Sequence, residues 1–482
     1  MSKGFKYIPK EKRRRILLIC DDIRVHSGVA TVAKEIVLET SQHFNWVQLA
    51  GAIQHPEKGK KLDLSQDINK TTGLTDSSVL LYPVDGYGNP QILRQIIQLE
   101  KPDAIFLITD PRYFTWLFNM EQELRKKIPI VYLNIWDNYP APMYNRPYYE
   151  ACDLLMGISK QTVNINKLVL QEAGKNKIFK YVPHGINPNS YFPITQESGD
   201  FNEYNQFKKQ FFSGGDPKFV MFFNSRNIRR KQIPDSMLAF RKFLDTLPKE
   251  EAKQCYFILH TEMVSDAGTD LEKVKEYLFD EDYKNNVIFS TNKLSTKHLN
   301  FLYNIADIQI LLTSNEGWGL TITEAMFAGT PIIANVTGGM QDQMRFEDNE
   351  GNWFTPDRDI PSNHKETFKK HGEWAFPVYP SSRSIQGSPS TPYIFDDRCK
   401  WEDAMDRIKE CYELGKEELK RRGLKGREWA MSNEAGFTSE NQGKTIIKSL
   451  DTLFDTWKPR ENYEIINTTE YKGRFLNHKV IY

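Results

Sequence analysis

Glu316 and Glu324, with seven residues between them, bracket the run Gly317-Trp318-Gly319-Leu320-Thr321. An apolar stretch ends at Ser314, two glycines bend the chain, and a helix is expected from Leu320 or Thr321 to Gly329, with Pro331 opening the next strand. A strand, turn and helix in that order bring unpaired backbone N–H groups and the positive end of a helix to the carboxyl edge of a parallel sheet. The fitting ligand is an anion, most simply a diphosphate. Acids on either side of it suit sugar hydroxyls, from which they accept hydrogen bonds. A local reading competes: Thr321-Ile-Thr-Glu324 has the spacing of a capping box, in which Glu324 would only cap its own helix.

Two further groups of residues carry chemistry of the same kind. Asn224-Ser-Arg226-Asn-Ile-Arg-Arg230-Lys231 follows a predicted strand, and an Arg and a Lys there place fixed positive charge beside a leaving diphosphate. A solvated charge run is the alternative. Ser27-Gly28-Val29-Ala30 opens an amphipathic helix after the first strand, and Gly28 would let a ligand approach that helix end closely. The alternative is a tight turn with no ligand. No G-x-G-x-x-G pattern is present, which disfavours a dinucleotide site. Asp21-Asp22 is an acidic pair of a kind that can hold a metal, but none is expected, because helix ends with Arg and Lys can neutralise a diphosphate.

The elements that must position these residues are strands alternating with helices. Apolar runs at 15–20, 47–53, 79–83, 104–109, 130–136, 154–159 and 180–185 form one series, and runs at 219–225, 255–261, 287–290, 308–314 and 331–335 form a second. This alternation predicts an α/β fold with two doubly wound parallel sheets. A chain of 482 residues also favours two domains. The reading is an acceptor-side Rossmann-like domain over 1–190, a nucleotide-sugar domain over 191–440, and a crossover helix with tail over 441–482. The proline-rich segment 183–194 is the hinge, and 345–400 reads as a long loop or insertion without periodicity.

Composition narrows the class. The net charge of +1 argues against a uniformly basic protein that coats nucleic acid, although Lys3, Lys6, Lys10, Lys12, Arg13, Arg14 and Arg15 form a basic arm and 420–427 a second cluster. Five cysteines without a C-x-x-C pair read as free thiols. No apolar run reaches membrane-spanning length and no signal segment opens the chain, so a cytoplasmic protein without membrane insertion is expected. Nothing in the sequence signals an oligomeric state.

The string from Glu316 to Pro331, with Gly317, Gly319, Ala325, Met326 and Gly329 besides both acids, resembles the Glu–seven residues–Glu motif of retaining glycosyltransferase family 4. The resemblance implies the GT-B architecture: two Rossmann-like domains facing a cleft, with a C-terminal helix crossing back to the first. It implies a nucleotide-sugar co-substrate, UDP- or GDP-linked, and no cofactor. It assigns Glu316 to the donor sugar, Glu324 to the ribose, and the diphosphate to Arg226, Lys231 and the backbone of Gly317, Trp318, Gly319, Leu320 and Thr321, with Gly28 and Leu294 completing the donor contacts. Many members carry a His after the fifth strand of the first domain; this chain reads Tyr132-Leu-Asn-Ile-Trp-Asp137 there, leaving Asp137 or Asn134 to take that place.

Over 109–118 and 136–153 the chain is similar to transferases encoded by tailed phages and environmental viruses, some of which glycosylate hydroxymethylated bases in DNA. That likeness nominates the hydroxymethyl group of modified cytosine in double-stranded viral DNA as acceptor, and the host cytoplasm as location. Arg112, Trp136, Tyr139 and Arg146 interleave charge with aromatics and are the acceptor candidates. A glycan or small-molecule acceptor, a catalytically silent nucleotide-sugar-binding protein, and core burial of these aromatics are the alternatives.

Overall fold

The computed structural model describes residues 7–212 and 215–461, so Lys3 and Lys6 of the basic arm and the tail from 462 lie outside the described residues. Eight strands build the first sheet: β1 (Arg14–Asp21), β2 (Phe44–Gly51), β3 (Leu62–Asp63), β4 (Val79–Pro83), β5 (Ala104–Ile108), β6 (Ile130–Asn134), β7 (Leu154–Gly157) and β8 (Ile178–Tyr181). Their order is β3-β4-β2-β1-β5-β6-β7-β8, and all pairs are parallel except β3 with β4. The second sheet holds β9 (Phe219–Asn224), β10 (Cys255–His260), β11 (Val287–Ser290), β12 (Ile308–Leu311), β13 (Ile332–Asn335) and β14 (Ala375–Val378) in the order β11-β10-β9-β12-β13-β14, all parallel.

Helices on both faces explain the unbroken apolar strands. In β1 every residue from Ile16 to Asp21 is buried, because both sides of a central parallel strand are covered. Strand order reverses between β1 and β5 in one sheet and between β9 and β12 in the other. Loops that leave the sheet on opposite faces at such a point part to form a crevice. The helix Gly28–Thr40 follows β1, Arg226–Lys231 follows β9 and Glu316–Thr321 follows β12, so all three chemistry-bearing segments stand at these crevices.

The chain crosses between domains after β8. Gly185 lies so close to the terminal helix that a Cβ there would sit 2.6 Å from Ser439 Cα, and Ile186 bridges to Thr438. The helix Ser439–Thr456 returns to the first domain, where Gly443 rests on Glu39 and Ser439 Oγ donates to Glu39 Oε1 at 3.0 Å.

The segment 345–400 departs from the loop expected for it. It supplies β14, the sixth strand of the second sheet, and an antiparallel hairpin of β15 (Ser382–Ser388) and β16 (Thr391–Arg398). β14 is four residues with a proline, too short to show periodicity. The hairpin packs only Ile394 and Phe395 on the first-domain core, with Tyr393 edge-on to Tyr144, and hydrogen bonds to both domains do the rest of its anchoring. Phe395 N donates to Tyr139 O at 2.6 Å, Asn138 Nδ2 to Phe395 O at 3.0 Å and Tyr144 Oη to Tyr393 O at 2.9 Å on the first domain. Asp397 N donates to Ser314 O at 2.9 Å, and Thr337 Oγ1 to Asp397 Oδ2 at 2.7 Å, on the second. Among the described residues no helix is long and apolar enough to cross a membrane.

Candidate active site

Both crevices open on one cavity of about 750 Å³ between the domains. Its second-domain wall is charged. Glu316 accepts from Lys231 Nζ and, at 3.0 Å, from Arg230 Nη1, which also donates to Thr313 Oγ1 at 3.2 Å. Burial alone would push the Glu316 carboxyl up, but Arg230 and Lys231 outweigh it and hold the group down at about 2, so it is ionised at any physiological pH. Lys231 is 6% exposed, whereas Arg226 is exposed and reaches the cavity with its guanidinium outside these ion pairs.

The turn from Glu316 to Leu320 is held by contacts that admit no side chain. Gly319 takes φ of 86° as the N-cap of the helix Leu320–Ala328, and no side chain caps that helix, so its first amides are left for a ligand. The second clamp is Gly338-Gly339. A Cβ on Gly338 would lie 1.9 Å from Glu316 O, and Gly339 N donates to that same oxygen at 3.0 Å. Glu324 is no capping-box residue: it accepts from Tyr303 Oη at 2.6 Å, and burial raises its pKa despite that hydrogen bond.

The first-domain wall is built of backbone and small side chains. Ser27 caps the helix Gly28–Thr40 by accepting from Ala30 N at 3.0 Å, and its hydroxyl donates to Asp21 Oδ2 at 2.5 Å. Gly28 faces Leu320, whose Cδ1 would lie 3.6 Å from a Cβ at position 28; two helix N-termini therefore meet across the cavity. Asp137 looks toward Glu316, Arg230 and Lys231 from the loop after β6. Burial pushes its carboxyl up to about 6, with Glu316 adding to the rise and Arg230 opposing it. Asn134, the other candidate for that place, donates to Asn166 at 2.6 Å and is fully buried away from the cavity.

Several lining residues escaped the sequence reading. Arg230, next to Lys231, has no role in the sequence motif, yet it lines the cavity and holds Glu316. His184, read only as part of a hinge, is 7% exposed on the cavity wall, with Trp318 edge-on at 6.3 Å, and desolvation lowers its pKa to about 3. His260, Thr261, Ser290 and Lys293 close the end near β10 and β11. Strand ends mark these positions, but no motif distinguishes them.

Other candidates lie off the cavity. Leu294 packs on the second-domain core beside Lys293, and Glu324 sits behind the turn. Trp136 and Tyr139 are 7% and 8% exposed, buried in the first-domain core. Arg112 Nε donates to Asp110 at 2.8 Å with Nη1 on Ser390, and Arg146 Nε pairs with Glu150 at 2.7 Å. The three arginines of the basic arm are paired as well, Arg13 with Asp76 at 2.8 Å, Arg14 with Asp103 at 3.5 Å and Arg15 with Glu100 at 3.7 Å, whereas Lys10 and Lys12 are exposed. Buried rings and neutralised guanidinium groups do not form the exposed stacking and phosphate-contacting surface expected of them.

Residues 205–363 match the family model described as Glycosyl transferases group 1. The mannosylfructose-phosphate synthase of Agrobacterium fabrum is 26% identical over 192 residues, which is 40% of this chain and 39% of that protein, so the match spans well under half of the relative. A glycosyltransferase from Rickettsia africae superposes with a TM-score of 0.63 at 13% identity, covering 92% of this chain and 100% of that one. The Anabaena protein HepE in complex with UDP-glucose superposes with a TM-score of 0.60 at 14% identity, over 91% of this chain and 100% of that one. The fold is GT-B, and residues 205–363 are similar to the Glycosyl transferases group 1 family.

Proposed function

We propose that the protein transfers a sugar from a UDP- or GDP-linked donor to a hydroxyl acceptor with retention of anomeric configuration. What carries the reading is the convergence of two helix N-termini with Arg226, Arg230 and Lys231 on one cavity that also holds an ionised Glu316. Such a site suits a ligand with an anionic middle and a hydroxyl-bearing end.

The acceptor oxygen bonds to the anomeric carbon on the face from which the diphosphate leaves. The bond between that carbon and the phosphate oxygen breaks, its electron pair departs with the nucleoside diphosphate, and a phosphate oxygen takes the acceptor proton. Arg226, Lys231 and the amides of Leu320 and Thr321 stabilise the charge that grows on the leaving group, where preorganised donors have their largest effect. Glu316 accepts from the sugar hydroxyls; Glu324, held by Tyr303 Oη behind the turn and off the cavity, has no ligand contact in this reading. Asp137 faces the sugar where related enzymes place a His. The cations and helix ends take the part a metal would play.

For the acceptor, the pairing of Arg13, Arg14, Arg15, Arg112 and Arg146 with acids and the burial of Trp136 and Tyr139 favour a small hydroxyl compound or glycan over duplex DNA. The relative named as a phosphate synthase makes sugar phosphates a class to include. The test incubates the full chain with UDP- and GDP-sugars and with sugar phosphates, glycans or duplex DNA containing hydroxymethylcytosine, with and without a chelator, and identifies products by mass spectrometry and anomeric proton couplings. A chelator-insensitive, retained product on a small acceptor is expected. A product on DNA whose binding weakens with salt, at a log–log slope of about −0.9 per phosphate, would replace that acceptor. Donor binding with neither transfer nor hydrolysis would leave a silent nucleotide-sugar-binding protein.

A further inference from the structure

A second cavity, of about 250 Å³, lies in the second domain between the loop after β9 and the base of the hairpin. Arg230 stands on the wall of both cavities, but the remaining residues that matter here, Arg229, Ser314, Arg398 and the start of the helix Ile233–Asp245, have no place in the donor site's ion pairs.

Two independent features point to an anion. The 13-residue helix Ile233–Asp245 begins at Gln232, in the left-handed region at φ of 53°, with no side chain capping it; Pro234 has no N–H and Ser236 N returns to Gln232 O at 3.2 Å, so the amides of Ile233 and Asp235 are the ones left at its positive end. Ser314, 1% exposed on the same wall, keeps a buried Oγ without any hydrogen-bond partner, although both its backbone groups are engaged. A buried hydroxyl without a partner is costly, so an acceptor atom from a ligand is its natural complement. Arg229 adds charge: it is exposed at the cavity and, among the described residues, pairs with no acid.

The two carboxylates on this wall are already engaged. Asp235 takes Arg398 Nη2 at 2.8 Å, and Asp396 Oδ1 takes Asn315 Nδ2 at 2.8 Å. Arg398 Nε is held by Gln232 Oε1 at 3.1 Å, which keeps that guanidinium beside the helix start.

We propose that this cavity binds a phosphate group carried by a small molecule, either free phosphate or a phosphosugar, at a site separate from the donor diphosphate. The three terminal oxygens of such a group match three sets of donors: the Arg229 guanidinium, the amides of Ile233 and Asp235, and the Ser314 hydroxyl. The inference goes beyond the transfer reaction and does not depend on it.

Isothermal titration of the full chain with inorganic phosphate, and separately with glucose 6-phosphate, tests it. Saturable binding of at least one is expected, weakened about tenfold or more in Arg229→Ala and also weakened in Ser314→Ala, and unchanged in Arg226→Ala, which alters only the donor cavity. Tighter binding of glucose 6-phosphate than of phosphate would identify a phosphosugar site, and the reverse a free-anion site. Because Arg229 is exposed, Arg229→Ala should melt with the parent protein, and a fold defect is thereby separated from lost binding. No saturable binding of either ligand, or binding lost in Arg226→Ala and retained in Arg229→Ala, would overturn the proposal.

Discussion

The two walls of the donor cavity are made from different materials. The second-domain wall is ionic: Glu316 pairs with both Arg230 and Lys231, leaving a net positive charge, and Arg226 beside them has no acid partner among the described residues. The first-domain wall is mostly shape and dipole, with Ser27, Gly28, Val29, Ile135 and Ile158, and two carboxyls, Asp21, which accepts from Ser27 Oγ, and Asp137, whose charge burial disfavours. The difference teaches that substitutions on the ionic wall should abolish chemistry, and substitutions opposite it should adjust how the donor sits.

The largest effects should come from the ion pair itself. Glu316→Gln and Lys231→Ala are each expected to cut steady-state transfer by about two orders of magnitude or more. Glu316→Ala should also destabilise the fold by about 3–5 kcal/mol, seen as a lower melting temperature, because it strands Lys231 at 6% exposure without a counter-ion. Wild-type transfer by Glu316→Gln would dissolve the contrast between the walls.

Next in size, Arg226→Ala should slow transfer by about 10- to 150-fold at an unchanged melting temperature, as expected for one lost charged hydrogen bond. Arg230→Ala should lower both rate and melting temperature, since that side chain holds Glu316 and the Asn315 carbonyl. If Arg226→Ala instead lowered only the melting temperature, its assignment to the diphosphate would fail.

Asp137 sharpens the comparison through pH. Its folded pKa of about 6 exceeds the ordinary carboxyl value, so the folded state binds more protons than the unfolded one between those values, and stability falls as pH rises through that window. Asp137→Asn should therefore raise the melting temperature at about pH 8 and barely change it at about pH 4. The same variant should remove an inflection near pH 6 from the profile of kcat/KM, which reports the free enzyme. His184, held neutral to about pH 3, should leave no inflection of its own above that value.

The smallest effect is expected at Gly28. A Cβ there meets only Leu320 Cδ1 at 3.6 Å, so Gly28→Ala should stabilise the helix start by about 0.4–1 kcal/mol. Donor KM should rise several-fold with kcat little changed. An unchanged KM would mean that the donor does not approach this helix.

Much of this was legible in the sequence because parallel strands buried on both faces leave continuous apolar runs, as at β1, β5 and β12. The ends of those strands then fixed where Gly28, Arg226, Lys231 and Glu316 could gather. What stayed hidden has a common cause: it is tertiary. His184 lines the cavity only because the crossing segment packs on the helix Ser439–Thr456. Gly338 matters only because its backbone touches Glu316. Arg112 and Arg146 read as free charge until Asp110 and Glu150 are seen beside them. The hairpin gave no pattern because its partners lie on two domains and its strands bury no continuous face.

That hairpin also sets a kinetic constraint. β16 is continuous with the second domain and anchored there through Asp397, whereas its links to the first domain are the bonds from Phe395, Tyr393 and Ser390 to Tyr139, Asn138, Tyr144 and Arg112. Where two domains enclose a ligand, its release requires them to part, and such motions often limit turnover. Here the swing must first unlatch a row of hydrogen bonds that lies outside the reaction site. Under the proposed transfer, residence time of the spent nucleotide is then written into a hairpin that contributes no residue to the donor cavity.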